Sequence, residues 1–171
     1  VDSGTDATLP QGDPRLLDHP VARQLLASTE LARVAYVAPD GTPRVLPMMF
    51  HATDDEVVFC TFGGARKIAH LRARPQVAVT IDAAGPPPLV LLLRGPVTVT
   101  DVDGIAPEYL AAHHRYGGEQ AVAAIRAELD GPGLVMARIA LRPTWVGVLD
   151  FVTRFPRGIT TAEDFARIGR D

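Results

Sequence analysis

Short β-branched and aromatic segments, set apart by turn residues roughly every 8–12 positions, run through most of this chain and limit the folds open to it. LARVAYVA (31–38), RVLPMMFH (44–51), VVFCTF (57–62), QVAVTID (76–82), LVLLLRGPVTVTD (89–101), LVMARIAL (134–141) and TWVGVLDFV (144–152) each read as a strand. PDGT (39–42) joins the first two as a hairpin, because Asp-Gly accepts the backbone angles of a tight turn. Pro47 cannot donate a ladder hydrogen bond, so its strand belongs at an edge or carries a bulge. Gly95-Pro96 marks a bend inside the long fifth strand. The series is broken once: in FGGARKIAHLRARP (62–75) two glycines end a strand, and Ile68 and Leu71 then recur at helical spacing until Pro75. Further helical patterns cover 15–27 and 104–130, the latter interrupted at Gly117-Gly118, with a short helix expected from Thr161. The expectation is a mainly β (α+β) fold: six to seven antiparallel strands closed into a barrel or sandwich, with peripheral helices.

The chain has 171 residues, which fits one domain. Residues 1–14 read as a flexible N-terminal arm, 15–152 as the folded domain with its helical insert at about 104–130, and 153–171 as a polar C-terminal tail. Seventeen basic against twenty acidic side chains give a net charge of −3. That balance argues against nucleic acid or an anionic membrane as partner. Apolar runs such as Leu89 to Leu93 are far too short to span a bilayer. Val1 to Asp13 lack the basic start and apolar block of a signal peptide. The single cysteine, Cys60, allows neither an internal disulfide nor a multi-cysteine metal site. A cytoplasmic protein is expected.

FCTFGGARK (59–67) gathers several anion-binding elements: the Thr61 hydroxyl, a Gly-Gly turn, unpaired amides at a helix start, and the cations Arg66 and Lys67. Two cations at a helix N-terminus oppose the helix dipole, which favours an anion between them over a merely solvated pair. The stretch is not a triphosphate loop, since G-x-x-x-x-G-K-[ST] is absent. RVLPMMF (44–50) is either plain core or a strand whose proline leaves backbone groups facing a flat heterocycle, with Met48 and Met49 as polarisable walls. His51, His70 and the adjacent His113 and His114 lack zinc spacing, so no metal site is expected, and the adjacent pair reads as decoration of an exposed face. No nucleophile elbow is present, and Cys60 reads as a small core residue. Asp54, Asp55 and Glu56 form an acidic turn, and Trp145 is either core or a lid over a ring. No acid or base is assigned.

Taken together, Asp40-Gly41-Thr42-Pro43, the strand from Arg44, the strand ending in Thr61, Arg66-Lys67 and the segment Leu71 to Val77 resemble the pyridoxamine 5′-phosphate oxidase-like family, whose fold is the FMN-binding split β-barrel. LRGPVTV (93–99) resembles the family's next barrel strand, and the likeness spans about 20–152. It implies a homodimer with cofactor at the subunit interface. The flavin phosphate would be held by Thr61, Arg66 and Lys67. The ring would lie along Arg44, Val45, Leu46, Pro47 and Met48, with Cys60 nearby, and the partner subunit would contribute from around Val90 to Leu92 and from Trp145. The family's serine before the Arg-Lys pair is Ala65 here, and the tail lacks the Arg-Leu-x-x-Arg pattern of true pyridoxamine phosphate oxidases. The insert at 104–130 is more like related reductases. The resemblance thus implies hydride transfer between FMN, or the deazaflavin coenzyme F-420, and a small organic substrate. The alternatives are a non-catalytic flavin- or haem-binding module, or a structural dimer that has lost the site.

Overall fold

The computed structural model describes residues 9–156 together with Glu163 and Arg167. Apart from those two residues, the helix expected from Thr161 lies outside the described residues, as do residues 1–8 of the expected arm. Eight strands form: β1 (Ala32–Val37), β2 (Pro43–Met48), β3 (His51–Ala52), β4 (Val57–Phe62), β5 (Gln76–Ala83), β6 (Leu89–Asp103), β7 (Val135–Leu141) and β8 (Trp145–Leu149). Among residues 9–156 three α-helices accompany them: α1 (Pro20–Ala27), α2 (Arg66–Ala73) and α3 (Pro107–Leu129). Every strand pairing is antiparallel, in the order β2-β1-β5-β6-β7-β4-β3, with β8 also on β6.

The expected count of six to seven strands needs correction to eight among the described residues. RVLPMMFH is one apolar run, but it is cut after Met48: β2 pairs β1, while β3 pairs β4. Met49 and fully buried Phe50 carry the chain between the two pairings. The helix expected over 15–27 likewise divides, into a 3₁₀ turn at Pro14–Asp18 and α1 beginning at Pro20. Proline at a helix's first position loses no hydrogen bond there, so Pro20 restarts the helix.

Other local signals hold. Gly41 sits at φ 81° in the β1–β2 connection. Pro47, opposite Arg33, lies on an edge strand. β6 is the hinge of the architecture: Leu89 to Pro96 pair β5, with β8 also paired as far as Arg94, and from Val97 onward the strand pairs β7. The change falls at Gly95-Pro96, where a Cβ on residue 95 would lie 2.5 Å from the Arg142 carbonyl oxygen. Only glycine permits that approach.

The core fills the space between the two halves of the sheet. Leu91, Leu93 and Val97 alternate inward along β6 and meet Phe59, Ile81, Ile139 and Val148, with Leu16 and Leu25 covering one end. Gly118, at φ 68° and ψ −165°, breaks α3 as the glycine pair implied. Leu9 to Pro14, the described part of the expected arm, is tied to β8: Gly12 N–H donates to Val146, and the Gln11 amide exchanges two hydrogen bonds with Val148. Among the described residues no helix is long and apolar enough to cross a membrane.

Candidate functional site

Strand alternation puts Val58 and Cys60 on the face of β4 away from the buried Val57 and Phe59. That face, the end of β2 and the first turns of α2 and α3 enclose a cleft of about 170 Å³. From β2 and its exit come Leu46, Pro47, Met48 and Met49; from α2, Lys67; from α3, Glu108, Tyr109 and Ala112. Six residues singled out in the sequence therefore meet here: Leu46, Pro47, Met48, Met49, Cys60 and Lys67.

The others lie around it. Arg44 is exposed and held locally by Thr42, Pro43 and Asp40 of its own turn. Val45 points outward, 67% exposed. Thr61 follows the core face of β4 at its end, and its hydroxyl has no partner among the described residues. Ala65 caps α2 without a side-chain hydrogen bond, and Arg66 is exposed beside it.

The start of α2 has the donors an anion needs. Gly63 is fixed by its N–H to the Val135 carbonyl at 2.9 Å, and a Cβ there would crowd that oxygen at 3.1 Å. At Gly64 a Cβ would meet nothing within 4 Å, so the turn opens outward. Arg66 and Lys67 have no carboxylate partner among the described residues, and their backbone N–H groups have no acceptor. Burial pulls the Lys67 amine below its ordinary pKa. A partly desolvated cation without a counter-charge marks a place where an anion is favoured.

Cys60 behaves as expected of a small packed residue. Burial, with Glu108 nearby, pushes its thiol up to about 12, so it holds its proton at neutral pH. The α3 wall carried no local sequence signal. Glu108 accepts from Arg138 Nε at 2.7 Å, and Arg138 also donates to Glu56 at 3.0 Å, clamping α3 onto β4 and β7. Burial alone would raise Glu108, but these bonds and its own backbone N–H hold it below the ordinary value. Tyr109, raised by burial, sits against His113 with ring centroids 4.4 Å apart. His113 is thus half-buried rather than surface decoration, and its Nε2 is buried without a partner. His114 does lie exposed, beside Glu119. Among the described residues no His, Cys, Asp and Glu side chains group as metal ligands. The result is an apolar slot with soft sulfur on its walls, a cation at one end and a phenol on the helical wall, suited to a flat conjugated ring with an anionic tail.

Known structures share this fold. An F420 reductase is 24% identical, with a TM-score of 0.58, over 81% of this chain and 98% of that one. An FMN-binding, pyridoxamine 5′-phosphate oxidase-related protein from Nostoc punctiforme is 14% identical (TM-score 0.56), over 79% and 84%. A heme binding protein from Mycobacterium smegmatis is 22% identical (TM-score 0.54), over 86% of this chain and 59% of that one. No curated protein matches. The sequence itself matches the family model described as pyridoxamine 5′-phosphate oxidase over residues 19–142. With that match spanning most of the chain, and β6 joining two antiparallel halves beside a strand–glycine–helix turn, the chain belongs to the pyridoxamine 5′-phosphate oxidase family.

Proposed function

We propose that the chain binds FMN or the deazaflavin coenzyme F-420 and serves hydride transfer to or from a small organic substrate. The observation that carries this reading is the cleft itself, which joins the end of β2, Cys60 and the uncompensated amine of Lys67 in one slot. When bound, either cofactor supplies the hydride chemistry at its ring. The chain's own residues bind, orient and exclude water. Lys67, Arg66, their backbone N–H groups and the Thr61 hydroxyl hold the phosphate. Leu46, Pro47, Met48 and Met49 flank the ring, and the protonated Cys60 offers a small neutral neighbour in place of a nucleophile. Tyr109 and Ala112 on α3 cover the slot and keep water out. Ala65 leaves the phosphate one hydroxyl short of the family pattern.

A homodimer is part of the proposal. The cleft is smaller than the ~300–1,000 Å³ usual for a cofactor-sized ligand, and it opens along β2, an edge strand with Val45 67% and neighbouring Val37 44% exposed. A second subunit would supply the missing wall and cover this edge. A haem-binding role has less support, because neither His113 nor His114 lines the cleft. Titration of purified protein with FMN and then with F-420, followed by visible absorbance, tests the reading. A shifted, sharpened cofactor band with micromolar affinity is expected for one of them; no binding of either at micromolar concentration overturns it.

A further inference from the structure

A second, more open groove of about 840 Å³ lies between α1, β3 and a different face of α3. Successive residues turn about 100° around a helix, so Ala111, His114 and Arg115 face this groove while Glu108, Tyr109 and Ala112 face the first cleft. Fully buried Phe50 separates the two, with Met49 on one side and His51 on the other.

Arg115 is the unusual group. Its guanidinium lies over the Phe50 ring at 4.2 Å and the Tyr116 ring at 4.9 Å, and Nη2 donates to the Phe50 carbonyl. Nε is buried with no acceptor, and no carboxylate pairs with the side chain among the described residues. The ring contacts fix where this cation sits without neutralising it. Around it the groove is lined by Arg23, His51 and His114 against a single carboxylate, Asp54. Arg23 is paired with Asp18 and His114 with Glu119, which leaves Arg115 as the uncompensated charge. Leu26, Ala52 and Ala111 supply apolar wall between these polar groups.

We propose that this groove is a second binding site, for an organic anion with an apolar body and a single anionic head group, Arg115 receiving the head. An isolated, positioned guanidinium above an apolar wall matches that chemistry on both counts. The site is independent of the flavin reading, and its test uses no cofactor.

Calorimetric titration of the full chain with octanoate, and with octan-1-ol as its uncharged counterpart, reads the site directly. Octanoate is expected to bind at least tenfold more tightly than octanol, a difference of about 1.4 kcal/mol. Arg115→Met, which keeps apolar contact with Phe50 but removes the charge, is expected to lose at least that factor. Should Arg115→Met fail to fold, the exposed double variant Arg23→Gln/His114→Gln asks the same question, with an expected loss of about threefold. The proposal is overturned by any of three results: no heat at millimolar octanoate, equal binding of octanol, or octanoate affinity that falls in Lys67→Met instead, which would place the anion in the first cleft.

Discussion

Replacing Lys67 by methionine separates what this residue does for folding from what it does for a ligand. The amine stands in the first turn of α2, partly buried, with no carboxylate in ion-pair contact among the described residues (Glu108 across the cleft is taken by Arg138), and burial holds it below the ordinary lysine value of 10.5. Without a ligand, that burial is a cost with no return, since the charge leaves water and meets no counter-charge. Methionine has similar length and no charge, so the ligand-free variant should melt at a higher temperature than the parent. The pH dependence follows from the sign of the shift. A lysine whose folded value lies below its unfolded one penalises folding fully at pH below the folded value, and the penalty fades as pH rises toward 10.5. The parent therefore gains stability over that alkaline window, and Lys67→Met lacks the gain.

Binding should move the other way. A charged hydrogen bond to phosphate contributes about 1.5–3 kcal/mol, so Lys67→Met should weaken FMN roughly 10- to 150-fold. Arg66 makes the useful comparison because it is exposed; an exposed ion pair contributes about 0–1 kcal/mol, and Arg66→Met should cost about fivefold at most. Fluorescence titration of FMN into the three proteins at one ionic strength, beside thermal melts without ligand, reads both effects. A lower ligand-free melting temperature for Lys67→Met, FMN affinity within twofold of the parent, or a larger loss at Arg66 than at Lys67 would refute the reasoning.

Ala65→Ser should both cap α2, which begins without a side-chain cap, and restore a hydroxyl to the phosphate; a stability gain of about 0.5–2 kcal/mol and tighter FMN binding are expected, by thermal melt and titration. Arg138→Met leaves Glu108 and Glu56 facing each other half-buried, and should cost about 1–3 kcal/mol, less than a fully buried pair; α3 then loosens, and iodoacetamide should label Cys60 faster than in the parent. At Asp150 burial alone would raise the carboxyl, but the Thr153 hydroxyl and the N–H groups of Val152, Thr153 and Arg154 bring it down to about 2. The stability it contributes is present above 3.8 and lost as pH falls through about 2, so the gap between parent and Asp150→Asn in urea melts should close over that window.

What the sequence made legible was local in the chain. The hairpin at Asp40-Gly41, the edge position of Pro47, the bend at Gly95-Pro96 and the break at Gly118 each follow from one or two residues whose backbone permits only a few answers. The strand–turn–helix that carries the proposed phosphate site is legible for the same reason, because Thr61, Gly63, Gly64, Arg66 and Lys67 are neighbours in the chain. Arg44 entered by family position, and its local contacts are a separate matter. Asp40 stands four residues before it, and in the fold the guanidinium turns back to that carboxylate and to Thr42. The cut in RVLPMMFH was not legible, since an apolar run does not say which strand it will pair with; β1 takes one end and β4 the other.

The α3 wall was out of reach for a deeper reason. Glu108 acquires its meaning from Arg138, thirty residues on, and Arg115 from Phe50, sixty-five residues back. In the sequence α3 is only a weakly patterned helix with a glycine break, and its one fully enclosed residue is the small Ala112. A helix with so little apolar stripe cannot be held by burial alone. Here it is held by single long-range polar contacts: Glu108 to Arg138, Arg115 to Phe50, and Tyr116 to the Glu30 carbonyl at 2.6 Å. Those contacts place one helix against two clefts. The weak amphipathicity that hid α3's role in the sequence is therefore the physical condition for that role, because the faces not spent on the core are the ones left to line a ligand site.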